Sequence, residues 1–330
     1  MSVGWSGNCG YIWDINNLKQ KFSYLFLDKY VTFNEKTMNN LEKIFPKYSE
    51  KQIEKFADED EYMDAYVELL KQTIQSFWQV VQLKYCDEFG KPMTIDKENA
   101  VLGGNIIRLL KLSTSYLQNI CEGKSEICYI IGRSLAETAI NLKYMLIEGE
   151  ERVKRNYIKH SLITEKELWE TIKLNITERS GNTLNIEKRM QKSIENSFDK
   201  SDFEIDDINR SSKWKSIKSR ADVVAGEMFY SVFYGIGSHA VHGNWQDVLM
   251  NNLEKSDNNF KLQFDWNIPK PQMLDGPIIF NLDLLQTFTE KELTFHECTE
   301  IIKENYTTLL SYQQSLMKNH EVLLAKKNSL

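Results

Sequence analysis

The sequence predicts an all-α protein: a multi-helix bundle, a core with additional helices at both ends. Three observations carry the helical class. The five prolines are Pro46, Pro92, Pro269, Pro271 and Pro277, so residues 93–268 contain none, and proline is the strongest breaker of helix interiors. That run is rich in Leu, Ile, Lys and Glu, a composition that favours helices. No region shows sustained period-two alternation with hairpin turns.

The 330 residues are 42% hydrophobic and 12% aromatic, enough for a real core, which excludes a disordered chain. A net charge of −6 argues against a protein that coats nucleic acid over its whole surface, but a local basic groove stays open. Cys9, Cys86, Cys121, Cys128 and Cys298 are odd in number, widely spaced and free of CxxC pairs. They read as reduced cytoplasmic thiols without a zinc signature. The opening "MSVGWSGNCGYIWD" lacks a basic region followed by an apolar run. No stretch approaches the roughly 18 apolar residues of a spanning helix, so a cytoplasmic protein without membrane contact is expected. Neither cofactor nor metal is predicted.

Residues 14–45 and 60–88 read as amphipathic helices separated by the charged "KYSEKQIEKFADEDEY". Gly90 and Pro92 mark a break, and a helix follows over 97–121. A central helix spans 125–148 and stops at Gly149. Helices near 150–162, in "TEKELWETIKLNITER" and in "TLNIEKRMQKSIEN" come next, with a break at Ser180–Gly181–Asn182. The acidic, polar stretch 198–212 predicts an exposed loop. A helix over 213–242 follows, then irregular chain with a short strand over 251–280. The last helix covers 281–320 and breaks near Glu290–Thr294. The organisation is an N-terminal helical region (1–92), a core helical domain (93–250), and an irregular segment with a C-terminal helix packing on the core (251–330).

On a helical wheel the central helix has one stripe of Cys128, Ile131, Leu135, Ala139, Leu142 and Leu146. Arg133, Glu137, Ile140, Tyr144 and Ile147 lie opposite. A helix apolar on two sides is buried between neighbours. Arg133 and Glu137, four residues apart, are then either a structural strut or part of a polar pocket.

In the 213–242 helix, Val224, Ala225, Met228, Phe229, Val232 and Ile236 form the core face. Glu227, Ser231, Tyr234, Ser238 and His242 share an arc of roughly 80°. Gly235 and Gly237 weaken a helix by roughly 0.5–1 kcal/mol each relative to Ala, tolerable where another backbone or a ligand approaches closely. His239 falls with the core-facing Ala221 and Val232. His242 has three readings: a helix-finishing residue before the terminator Gly243, a general acid–base, or a metal pair with His239 for which no third ligand is evident.

"RNYIKH", Arg155 to His160, resembles the R-x(4–6)-H motif of the HEPN superfamily, all-α proteins that include many metal-independent ribonucleases. The resemblance implies that Arg155 steadies a scissile phosphate and His160 aids proton transfer, in a cleft between two protomers; Asn156 suits the pattern. The plain alternative is that Arg152, Lys154, Arg155 and Lys159 form a solvated basic face. Arg210, Lys213, Lys215, Lys218 and Arg220 around Trp214 likewise either touch phosphate or face water.

"GRSLAETAINLKYML" and "YSVFYGIGSHAVHGNW" together resemble an uncharacterised bacterial helical domain family with R-S-L-x-E on one helix and a Tyr-rich S-x-x-x-H-G on another. Arg133, Glu137, Tyr234, Ser238, His242 and Gly243 match, and the resemblance covers roughly residues 100–250. Its loose association with HEPN-like folds and anti-phage defence implies an effector acting on RNA as a metal-independent endoribonuclease, in bacterial defence or a toxin system. Arg133 would bind phosphate, His242 would act as acid or base, and Glu137 and Ser238 would orient them. Arg155 and His160 are the second-choice pair, and Tyr144, Tyr234, Asn156, Lys213 and Lys215 would contact substrate. The implied partners are RNA, a second copy and a protein from the same locus. One rival is a non-catalytic sensor or scaffold in which the Arg–Glu and Ser–His pairs stitch two helices. Another is a small-ligand pocket lined by Tyr144, Tyr230 and Tyr234.

Overall fold

The computed structural model describes residues 43–87, 89–209, 213–224, 236–293 and 299–328. The helices are α1 (Glu50–Ile53), α2 (Glu59–Tyr85), α3 (Lys97–Cys121), α4 (Ser125–Glu148), α5 (Glu151–Glu178), α6 (Asn185–Ser201), α7 (Ile217–Val224), α8 (Ile236–His242), α9 (Trp245–Asn251), α10 (Asp275–Glu292) and α11 (Thr299–Asn328). One antiparallel hairpin, β1 (Leu253–Ser256) and β2 (Asn259–Leu262), pairs Leu253 with Leu262 and Ser256 with Asn259. The chain is the all-α multi-helix bundle that its proline map predicts.

Local chemistry explains the boundaries. Asp58 caps α2 by accepting from the Asp60 and Glu61 amides, and Asp96 caps α3 through the Asn99 amide at 2.8 Å. α4 ends where Gly149 turns left-handed at φ 65°. Ser180 and Gly181, at φ 55° and 87°, make the reversal between α5 and α6.

α4 is the central strut, packed by α3, α5, α7, α8 and α10, while α2 packs on α3, α10 and α11. Leu135, Ala139, Leu142 and Leu146 are buried on one side of α4 and Ile140 and Tyr144 on the other; Ile147 is exposed. The principal core joins α2, α3, α4, α10 and α11. A smaller one, built on Leu162, Ile172, Ile194, Phe198, Phe203 and Ile208, holds the α5–α6 arm together.

Several expectations need correction. The two helices expected over 150–179 are one continuous α5, because nothing between His160 and Thr164 breaks it and Leu162 is buried in the smaller core. The expected exposed loop over 198–212 begins as helix, and its Phe203 and Ile208 are buried anchors. The helix expected from residue 281 starts at Asp275, led in by a 3-10 turn at Pro271–Leu274, while its end at Glu292 falls in the expected break near Glu290–Thr294. The segment 14–45 lies almost wholly outside the described residues.

Candidate functional site: the seam between α4 and α8

Gly237 brings the two helices together. A Cβ built there would stand 2.7 Å from Arg133 Cβ, 3.0 Å from the Tyr129 carbonyl oxygen and 3.3 Å from Arg133 Cα. Any other residue would hold the backbones apart. The expected close approach at this glycine is therefore the backbone of the central helix.

At that distance Arg133 Nη1 donates to Ser238 Oγ at 2.6 Å, joining positions 105 residues apart. Both side chains are half-buried, where a charge-assisted bond is stronger than in water. Glu137 lies half-buried one turn along α4. The Arg133–Ser238 bond ties α4 to α8.

His242 sits one turn beyond Ser238 and is exposed. Gly243, at φ 54°, ends α8, and Asn244 then caps α9 by accepting from the Asp247 amide at 3.1 Å. Asn244 Nδ2 also lies 2.6 Å from His239 Nδ1. His239 is exposed, against the expectation that it faces the core. A helical wheel fixes a direction, not whether a neighbour stands there. Glu227, Tyr230, Ser231, Tyr234 and Gly235 lie outside the described residues.

The remaining candidates sit elsewhere. Arg155 and His160 are both exposed on α5, and five residues of helix turn them roughly 140° apart. Arg155 lies over the Phe203 ring at 5.4 Å, beside Lys159 Nζ at 5.2 Å. An open surface depression of about 420 Å³ is lined by Glu151, Arg152, Arg155, Asn156 and Lys159; it unites Arg155 with Asn156 and omits His160. Tyr144 is buried edge-on against Trp214 at 5.5 Å, with Lys215 Nζ 5.4 Å over its ring. Tyr157 and the Arg220 guanidinium enclose Trp214 from other sides. Lys213 is exposed. Eleven residues of α4, roughly 16 Å of helix rise, separate this stack from Arg133. Among the described residues no group of three or more His, Cys, Asp or Glu side chains is placed to hold a metal ion.

Sequence reasoning missed Asn244, whose position after a helix-ending glycine signals an N-cap. It also missed the buried His320, which no local pattern marks.

No helix among the described residues is long and apolar enough to cross a membrane. No curated protein and no solved structure matches the chain. Residues 99–260 match the model of a family described as "Family of unknown function (DUF5677)". That span runs from α3 to β2 and holds both sequence blocks with the Arg133–Ser238 bond between them. The part of the chain that builds the α4–α8 seam is thus similar to an uncharacterised domain family.

Proposed function

We propose that the chain is a HEPN-like helical effector whose α4–α8 seam acts on RNA as a metal-independent endoribonuclease, in the cytoplasm, within a bacterial anti-phage or toxin system. RNA is the substrate, and a second copy or a protein from the same locus is the partner. The observation that carries the reading is the Arg133–Ser238 bond. It holds the Arg133 guanidinium at a helix–helix seam, with the exposed imidazole of His242 one turn beyond Ser238 on α8. The Ser238 hydroxyl fixes the direction of the guanidinium, and a guanidinium so oriented suits recognition of a phosphate oxygen. An accessible imidazole suits removal of a proton from a ribose 2′-hydroxyl and its return to the leaving 5′-oxygen.

The test is cleavage of end-labelled single-stranded RNA by purified protein in EDTA. His242→Ala is expected to lower the rate about 100-fold or more while leaving the thermal midpoint unchanged, because His242 is exposed. Cleavage that persists in His242→Ala removes this residue from the chemistry. Loss in His160→Ala instead would move the activity to the Arg155–His160 pair.

The Arg133–Ser238 bond also favours a second reading, a non-catalytic scaffold whose polar pair stitches α4 to α8. Under it, Ser238→Ala lowers unfolding free energy by about 1.5–3 kcal/mol, measured by urea titration, and RNA is left intact by every variant.

A further inference from the structure

The segment that follows the seam is unusually apolar at its surface. Trp245, Met250, Phe260, Leu262, Phe264, Trp266 and Ile268 are all more than 45% exposed, Phe264 reaching 88%. Their arrangement is ordered. From Asn259 to Trp266 the chain reads N-F-K-L-Q-F-D-W, a strict alternation of apolar and polar residues. β2 ends at Leu262 and the chain bends at Asp265; up to that bend Phe260, Leu262 and Phe264 take one phase, and Asn259, Lys261, Gln263 and Asp265 the other. All four β2 residues are exposed.

Among the described residues, the hairpin register shows which edge is open. Gln263 N–H donates to the Asn252 carbonyl at 2.9 Å, so Asn259, Lys261 and Gln263 aim their backbone groups at β1. Phe260, Leu262 and Phe264 therefore aim theirs at the far edge, where a further strand would bond.

We propose that this edge pairs with the same edge of a second copy of the chain, antiparallel and centred on Gln263. The segment is self-complementary in that register. Leu262 meets the partner's Phe264, and Phe264 the partner's Leu262, joining apolar side chains across the two-fold axis. On the opposite face Lys261 meets the partner's Asp265. Glu254 already stands opposite Lys261 within the hairpin, so charges alternate across the four-stranded sheet. Shifting the centre to Leu262 or Phe264 separates Lys261 from the partner's Asp265 while still satisfying the backbone, so charge selects the register. An unrelated protein strand would have no reason to find this symmetry built into the segment. The interface rests on the strand edge alone and stands or falls separately from the RNA reading.

Sedimentation velocity on the full chain, from about 1 to about 100 µM, covers the range in which a micromolar dimer dissociates. The expected species is a dimer of the 38.7 kDa chain. Phe264→Lys, at an exposed position, is expected to give a folded monomer. Asp265→Lys and Lys261→Asp should each weaken the dimer by about tenfold or more. Their equimolar mixture should dimerise again, because each variant then offers the other an opposite charge at both sites. A parent that stays monomeric throughout, a dimer untouched by Phe264→Lys, or a mixture no tighter than the single variants would each overturn the proposal.

Discussion

Gly237→Ala is expected to destabilise the chain by about 1–3 kcal/mol, reversing the sign that this substitution has on an ordinary helix. Replacing glycine by alanine inside a helix normally gains up to about 1 kcal/mol, because alanine has less backbone freedom to lose. At Gly237 the added methyl meets Arg133 Cβ at 2.7 Å and the Tyr129 carbonyl at 3.0 Å, atoms held by the central helix and unable to swing away. α8 must move off α4, and the Arg133–Ser238 bond lengthens or breaks. Gly237→Val adds further bulk and should cost about 3 kcal/mol or more. Gly104, on α3, is the internal control: a Cβ there meets nothing within 4 Å, so Gly104→Ala should stabilise by about 0.5–1 kcal/mol. Urea titrations of the two alanine variants decide the matter. A stabilising Gly237→Ala would mean that the helices do not meet as described. A double-mutant cycle on Arg133 and Ser238, repeated in the Gly237→Ala background, should show their coupling disappear.

What the sequence disclosed depended on how local the deciding interaction was. α3 and α4 were readable to the residue, since an Asp96 cap and a left-handed Gly149 stop are written within a few positions of the ends they set. The arm formed by α5 and α6 was half-readable. Its reversal at Ser180–Gly181 follows from backbone preference, but the acidic stretch after Phe198 concealed two anchors, Phe203 and Ile208, among polar neighbours. At the seam, Gly237 announced that something comes close without saying what. The i,i+4 spacing of Arg133 and Glu137 is visible in a sequence, whereas the Ser238 partner of Arg133, 105 residues away, is chosen by packing. The alternation over 259–266 was present but brief, inside a stretch whose prolines suggested irregular chain. His320 gave no signal, since its neighbours Tyr62 and Tyr66 come from a helix some 250 residues earlier.

That histidine carries the second large effect: stability should fall as pH drops below 6.5, by as much as about 1.4 kcal/mol per pH unit. His320 is 1% exposed, stacks on Tyr62 at 4.6 Å, and has its Nε2 buried without a hydrogen-bond partner. Burial pushes its pKa below the ordinary 6.5, outweighing the upward pull of Glu59 and Glu321, while Lys327 adds to the depression. The unfolded chain then binds the proton more readily than the folded one. Stability contributed by the neutral ring is present above 6.5 and is lost as pH falls towards the folded value. Asp275 acts in the opposite sense. Burial raises its carboxyl above 3.8, so folding favours its protonated form and stability rises on acidification through that range. A single pH profile mixes the two, and comparison with His320→Phe separates them. Phenylalanine keeps the stacked ring on Tyr62 and removes the titrating nitrogen, so the variant should lie within about 1.5 kcal/mol of the parent above neutrality and lose the descent below 6.5. Parallel profiles for parent and variant would exclude His320 as the source. If His320 is the source, hydrogen-exchange protection, taken relative to the intrinsic exchange rate at each pH, should fall on acidification first where α11 meets α2, the contact that the Lys327–Glu59 ion pair at 3.5 Å closes at its exposed end.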